Sequence, residues 1–326
     1  MQCEVTIERW PFRTPFRIAR GVQPELDTVT VRLTDRAGHH GWGEAAGVDY
    51  DGETVASMIA QIDDVRPRLS DGLTRAALQG MLPAGGARNA IDCALWDLEA
   101  KATGIPAWKT AGLTALRPMT TAMTIGIGPD DEVRQKARAI HDWPLIKMKA
   151  DATSHLAPVR IAHEECPAAR FIVDANQSWT VDLLNQLVPE LVALNVALVE
   201  QPVKKGTDAQ LAGYTGCIPL AADESCVDRS SLPGLRGLYH LVNIKLDKTG
   251  GLTEALALAA AARGLGLGIM VGCMAGTSLA MAPGAIIGQQ AEFIDLDGPL
   301  LHASDRPHAM HYDRGVMSFP TAALWG

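Results

Sequence analysis

Between residue 119 and residue 300 the chain repeats one rhythm: a short apolar run, a polar residue that ends it, then a helical pattern. The runs are TTAMTIGI, LIKMKAD, RFIVDANQ, VALVEQP, PLAADES, LVNIKLD, GIMVGCM and EFIDLDG. Stretches such as VDLLNQLVPELVALN and LTEALALAAAARG lie between most of them. Asp174, Glu200, Asp223 and Lys245 close four successive runs at intervals of 26, 23 and 22 residues. A nearly constant period of that size, one strand and one helix per unit, marks repeated βα units. Eight such strands in about 180 residues fit a closed (β/α) barrel better than an open sheet.

The chain of 326 residues is longer than one core usually supports, and its first part reads differently. VTIERWPF, TVTVRLTD, a turn at Arg36-Ala37-Gly38 and HGWGEAAG alternate with the period of a small antiparallel meander. Two helical patterns follow, ETVASMIAQIDDVRPRL and ARNAIDCALWDLEAKATG, the second closed by Gly104 with Pro106 just beyond. The expected organisation is an α+β capping domain over 1–112, an α/β barrel over 113–300, and a tail over 301–326 that returns to the cap. His302, His308 and His311 of that tail are read as surface residues.

A net charge of −8 argues against nucleic acid or an anionic membrane as partner. The most apolar stretch, ALALAAAARGLGLGIMVG, is broken by Arg263 and four glycines and reads as a buried helix followed by a strand. Six cysteines without a C-x-x-C pair suggest reduced thiols, and the first residues lack a signal-peptide pattern, so a cytoplasmic location is expected.

Active sites of such barrels lie at the carboxyl ends of the strands. Asp174, Glu200 and Asp223 would end strands three, four and five, bringing three carboxylates to one side of the mouth. A hard divalent cation relieves their repulsion, and Mg²⁺ fits oxygen ligands best, with Mn²⁺ as the alternative. Acids that merely cap the following helices are the competing explanation. Lys147 and Lys149 share one face of strand two, and Lys245 ends strand six on the opposite side of the barrel. A dication and a second ammonium nearby are expected to lower a lysine's pKa, making it a base near neutral pH. Lysines that protect an exposed strand edge are the alternative, but a closed barrel has no edge. Asp295 and Asp297 in FIDLDGPLL share a face at the end of strand eight, suited to pairing with a substrate ammonium. A turn using Asp and Gly for backbone reasons remains open there.

The set IKMKAD, VDANQSW, VEQP, ADES and NIKLDKTGG resembles the muconate-lactonising subgroup of the enolase superfamily over nearly the whole chain. That superfamily is known for Lys or His bases with Mg²⁺ stabilising an ene-diolate, a property of the family and not a result drawn from this chain. The resemblance implies a modified (β/α)₇β TIM barrel with a cap. It also implies Asp174, Glu200 and Asp223 as metal ligands, and Lys149 and Lys245 as the acid/base pair, with Lys147 assisting. D-x-D-G-P, TPFRIARG and LPAGGARNAIDCALWDLEA resemble dipeptide epimerases, most closely those acting on L-Ala-D/L-Glu. This implies a small-molecule dipeptide substrate whose ammonium meets Asp295 and Asp297. Its Glu side chain would meet Arg20, or Arg17 in its place. Tyr50 would close over the substrate and Cys273 would line the pocket. Recycling of peptidoglycan peptides is the role implied. An N-acylamino-acid racemase, a cycloisomerase and a catalytically dead binding barrel stay as alternatives. The sequence leaves open whether the chain forms a homo-oligomer.

Overall fold

The apolar runs become eight parallel strands: Met123–Ile125, Leu145–Lys149, Arg170–Asp174, Val196–Glu200, Leu220–Ala222, Leu241–Ile244, Gly268–Val271 and Phe293–Ile294. They pair in chain order, and Ala122 N donates to Ile294 O at 2.8 Å, joining the two edges of a sheet curled into a barrel. The structure, a computed structural model, describes residues 1–18 and 21–326, with side chains for all of these except residues 16–18 and 21.

Alternation along the strands explains what fills the barrel. Ala122, Leu145, Ile172, Leu198, Ala221, Leu241, Met270 and Phe293, one from each strand or its entry, form a buried apolar layer across the interior. Residues two and four positions later face the same way, toward the mouth. Those positions include Thr124, Lys147 and Lys149, Asp174, Glu200, Asp223, Asn243 and Lys245, and Asp295. The layer that seals the barrel therefore sets the register of the polar groups above it.

Helices connect most strands as the period requires, including Val181–Ala193 and Leu252–Gly264. The fourth connection differs: it carries only the 3₁₀ helix Asp208–Gly213.

The cap is an antiparallel sheet of Gln2–Ile18, Gly21–Thr34 and His40–Ala45 packed on helices Val55–Ser70 and Gly86–Thr103. The first two strands pair further than the apolar alternation indicated, continuing through Trp10 and Leu26. A Cβ at Gly43 would lie 2.1 Å from Ala90 O, so only glycine lets the second helix press against the strand backbone.

The tail returns to the cap. Trp325 Nε1 donates to Cys93 O at 3.1 Å, and Arg306 pairs with Glu8 and Glu44 of the cap sheet. His308 and His311 are exposed, as expected, but His302 is not a surface residue. It is fully buried, stacks on Phe12 with centroids 4.9 Å apart and shares a hydrogen bond with Ala275 O. The reason is the short bridge between Phe12 and His302, which draws the start of the tail under the first strand. Among the described residues no helix is long and apolar enough to cross a membrane.

Candidate active site

One cavity at the carboxyl ends of the strands is lined by Lys147, Lys149, Asp223, Lys245, Cys273, Asp295 and Asp297, and from the cap by Tyr50. Asp174 and Glu200 are wholly buried and meet the lining residue Lys147. Of the residues singled out in the sequence, only Arg20 falls outside the described residues; the side chain of its alternative, Arg17, does too.

Asp174, Glu200 and Asp223 each present an oxygen within 4.8 Å of the others. Each also commits one oxygen to a fixed donor. Asn176 N donates to Asp174 Oδ1 at 2.9 Å, Asn243 Nδ2 to Glu200 Oε1 at 2.8 Å, and Lys248 Nζ to Asp223 Oδ1 at 2.7 Å. The other oxygens of Asp174 and Asp223 each accept from a lysine. Glu200 Oε2 is buried and accepts no well-directed hydrogen bond, although Lys147 Nζ is 2.7 Å away. Three hard carboxylate oxygens this close together, on side chains held from behind, suit a small dication.

Lysines answer these charges. Lys149 Nζ is 2.6 Å from Asp174 Oδ2, and Lys245 Nζ is 2.6 Å from Asp223 Oδ2. Lys147 sits among Asp174, Glu200 and Asp295 at 3.2, 2.7 and 2.8 Å. Burial would raise Asp174, but Lys149 and Lys147 hold its carboxyl down at about 2. Burial and the neighbouring Asp174 push Glu200 up to about 8. A bound dication is what would depress these lysines. Burial works in that direction, yet the surrounding carboxylates hold Lys147 and Lys245 well above the usual lysine range.

Asp295 and Asp297 stand across the mouth. Asp295 follows the eighth strand directly; Asp297 lies beyond it, at the start of the short helix Gly298–Leu301. Thr124 N donates to Asp297 Oδ2 at 2.6 Å, and burial with the nearby Asp295 raises Asp297 to about 7. Cys273 lines the cavity, and burial and Asp297 push its thiol up to about 12. Burial likewise raises the Tyr50 hydroxyl.

Four contributors went unnoticed in the sequence: Thr124, Asn243, Lys248 and Gln201. Asn243 had a signal, since it lies two before Lys245 on one strand. Gln201 Oε1 accepts the N–H groups of Asp223 and Ser225 at 2.9 and 3.1 Å, linking the ends of strands four and five. Nothing in the local pattern marks Lys248 as buried.

Residues 1–112 match the mandelate racemase / muconate lactonizing enzyme N-terminal domain, and residues 131–323 match the enolase C-terminal domain-like family. The chain is 44% identical to the L-Ala-D/L-Glu epimerase of Escherichia coli K12, across 95% of this chain and 97% of that protein. It is 42% identical to an N-acetyl-D-glutamate racemase of Pseudoalteromonas sp, across 91% and 95%. An Agrobacterium tumefaciens enolase family member with homology to dipeptide epimerases, bound to sodium and L-Ala-L-Glu, superimposes with a TM-score of 0.96 at 40% identity, covering 99% of both chains. The chain therefore belongs to the enolase superfamily, with the two domain types of its mandelate racemase and muconate-lactonising branch, and is an isomerase.

Proposed function

We propose that this enzyme epimerises dipeptides of the L-Ala-D/L-Glu type by moving a proton on and off an α-carbon with Lys149 and Lys245. The observation that carries this reading is the pairing at the mouth. Two lysines stand on opposite strands beside the carboxylate triad, and a buried carboxyl, Asp297, has no ion pair among the described residues.

Asp174, Glu200 and Asp223 would hold Mg²⁺, or Mn²⁺ in its place. When bound, the cation supplies positive charge opposite the substrate carboxylate as negative charge builds there. Lys149 on strand two and Lys245 after strand six approach the α-carbon from opposite sides; one takes the proton and the other returns one to the opposite face. Lys147, tied to Asp295 and Glu200, carries charge between the triad and the far wall. Asp297, with Asp295 beside it, receives the substrate ammonium. Tyr50 and Cys273 shape the pocket, and Arg20 is assigned the Glu side chain. The division into cap 1–112, barrel 113–300 and returning tail 301–326 belongs to this reading, as does a role in cytoplasmic peptide recycling.

Two observations favour a second reading, racemisation of N-acylamino acids. Asp295 is already neutralised by Lys147, and one relative is an N-acetyl-D-glutamate racemase. Solvent deuterium exchange at the α-carbon separates the two. Free L-Ala-L-Glu should exchange well and N-acetyl-glutamate or N-acetyl-Ala-Glu poorly; the reverse order assigns the enzyme to acylamino acids.

A further inference from the structure

The two lysines are held by different parts of the molecule. After Lys149 the chain is tied to the barrel: Ala150 N donates to Asp174 O at 2.8 Å, and Trp179 Nε1 to Asp151 O at 3.3 Å. After Lys245 the chain turns at once, with Thr249 N bonded to Lys245 O at 3.0 Å, and the turn is gripped by the cap. Arg88 of the cap helix Gly86–Thr103 donates Nη2 to Thr249 O at 2.7 Å and Nε to Gly250 O at 3.2 Å. Its Nη1 is anchored to Gln79 O and Leu82 O in the cap, at 3.2 and 3.0 Å. One turn further along the same face, Asp92 accepts Thr253 N at 2.9 Å, and a turn beyond that Trp96 Nε1 donates to Thr253 Oγ1 at 2.9 Å.

This grip has no slack. Gly250 and Gly251 have φ of +69° and +113°, and a Cβ on them would stand 2.3 Å from Arg88 Nε and 2.5 Å from Asp92 Cβ. Arg88 is only 6% exposed, and its planar fork is bonded to four carbonyls at once. Thr249 O and Gly250 O lie at the end of the short helix Leu246–Thr249, where carbonyls lack partners of their own. A fork with fixed donor directions holds such carbonyls in one place; a lysine ammonium would not.

We propose that Arg88 is a positioning residue that sets the reach of Lys245, and not of Lys149, into the cavity. The proposal rests on the two-lysine reading above. It makes the cap responsible for one face of the proton transfer and the barrel for the other.

The test follows α-proton exchange in D₂O for L-Ala-L-Glu and L-Ala-D-Glu separately, in the parent enzyme, Arg88→Lys and Gly250→Ala, with crystal structures of each. Lys245→Ala identifies which epimer gives its proton to Lys245. A reacting group misplaced by about 1 Å loses roughly a hundredfold in rate, so that epimer should lose at least about tenfold while the other stays within about twofold. In the crystals Lys245 Nζ should leave its place 2.6 Å from Asp223 Oδ2, with the Lys149–Asp174 pair unmoved. Equal losses for both epimers, or an unmoved Lys245 in the folded variants, overturn the proposal. If Arg88→Lys does not fold, Gly250→Ala and the milder Thr253→Val, which removes only the hydroxyl held by Trp96, are judged by the same criteria. If the parent exchanges neither epimer, the dipeptide reading fails, and the crystal structures alone decide whether Arg88 positions Lys245.

Discussion

Lys147 Nζ stands 2.8 Å from Oδ2 of Asp295, a residue 148 positions further along the chain. The same ammonium touches Asp174 and Glu200, so one buried cation joins the triad to the opposite wall of the cavity. Removing it leaves buried carboxylates uncompensated, which costs about 3–5 kcal/mol in comparable pairs. Lys147→Met should therefore lower the melting temperature strongly in chelator, and saturating Mg²⁺ should recover more of it than the same addition gives the parent. Equal Mg²⁺ shifts in the two proteins would separate Lys147 from the metal site.

Turnover should require the dication. Chelation should abolish α-proton exchange, and Mg²⁺ or Mn²⁺ should restore it. Binding at about 100 times Kd should also stabilise the fold by about 2.7 kcal/mol, readable as a rise in Tm. Asp223→Asn should weaken both effects together, and full activity in chelator would remove the metal from the reaction.

The lysine pair makes a stereochemical prediction. Lys149→Ala and Lys245→Ala should each stop epimerisation, yet each should leave exchange of one epimer's α-proton, and a different one in each variant. Proton NMR in D₂O reads this directly. The same residual exchange in both variants would contradict lysines on opposite faces.

Asp297 predicts a pH dependence with a definite sign. Burial and Asp295 raise its carboxyl to about 7, so it is protonated below that pH and ionised above it. Only the ionised form pairs with a substrate ammonium, so kcat/KM for L-Ala-L-Glu should rise as pH increases through about 7. In Asp297→Asn that limb should vanish. The loss of one charge-assisted hydrogen bond, about 1.5–3 kcal/mol, should lower kcat/KM by roughly tenfold to over a hundredfold. N-acetyl-Ala-Glu, which has no ammonium, should show neither the limb nor that loss.

Much of this site is legible in the sequence because strand alternation is a local property. Once Leu145, Ile172, Leu198 and Leu241 are read as barrel-filling residues, spacing by two places Lys147, Asp174, Glu200 and Asn243 above them. The repeat of βα units then sets which strand ends are neighbours, so the triad and the opposed lysines follow from period and order alone. Tertiary structure decided what no local pattern encodes. Closure of the barrel joins Lys147 to Asp295, burial turns Lys248 into a support for Asp223, and the bridge from Phe12 makes His302 a core residue. Docking of the cap puts Arg88 against the carbonyls after Lys245. The physical reason is range: periodicity is set by neighbours in the chain, whereas a buried charge takes its partner from whichever distant segment folding brings within hydrogen-bond reach.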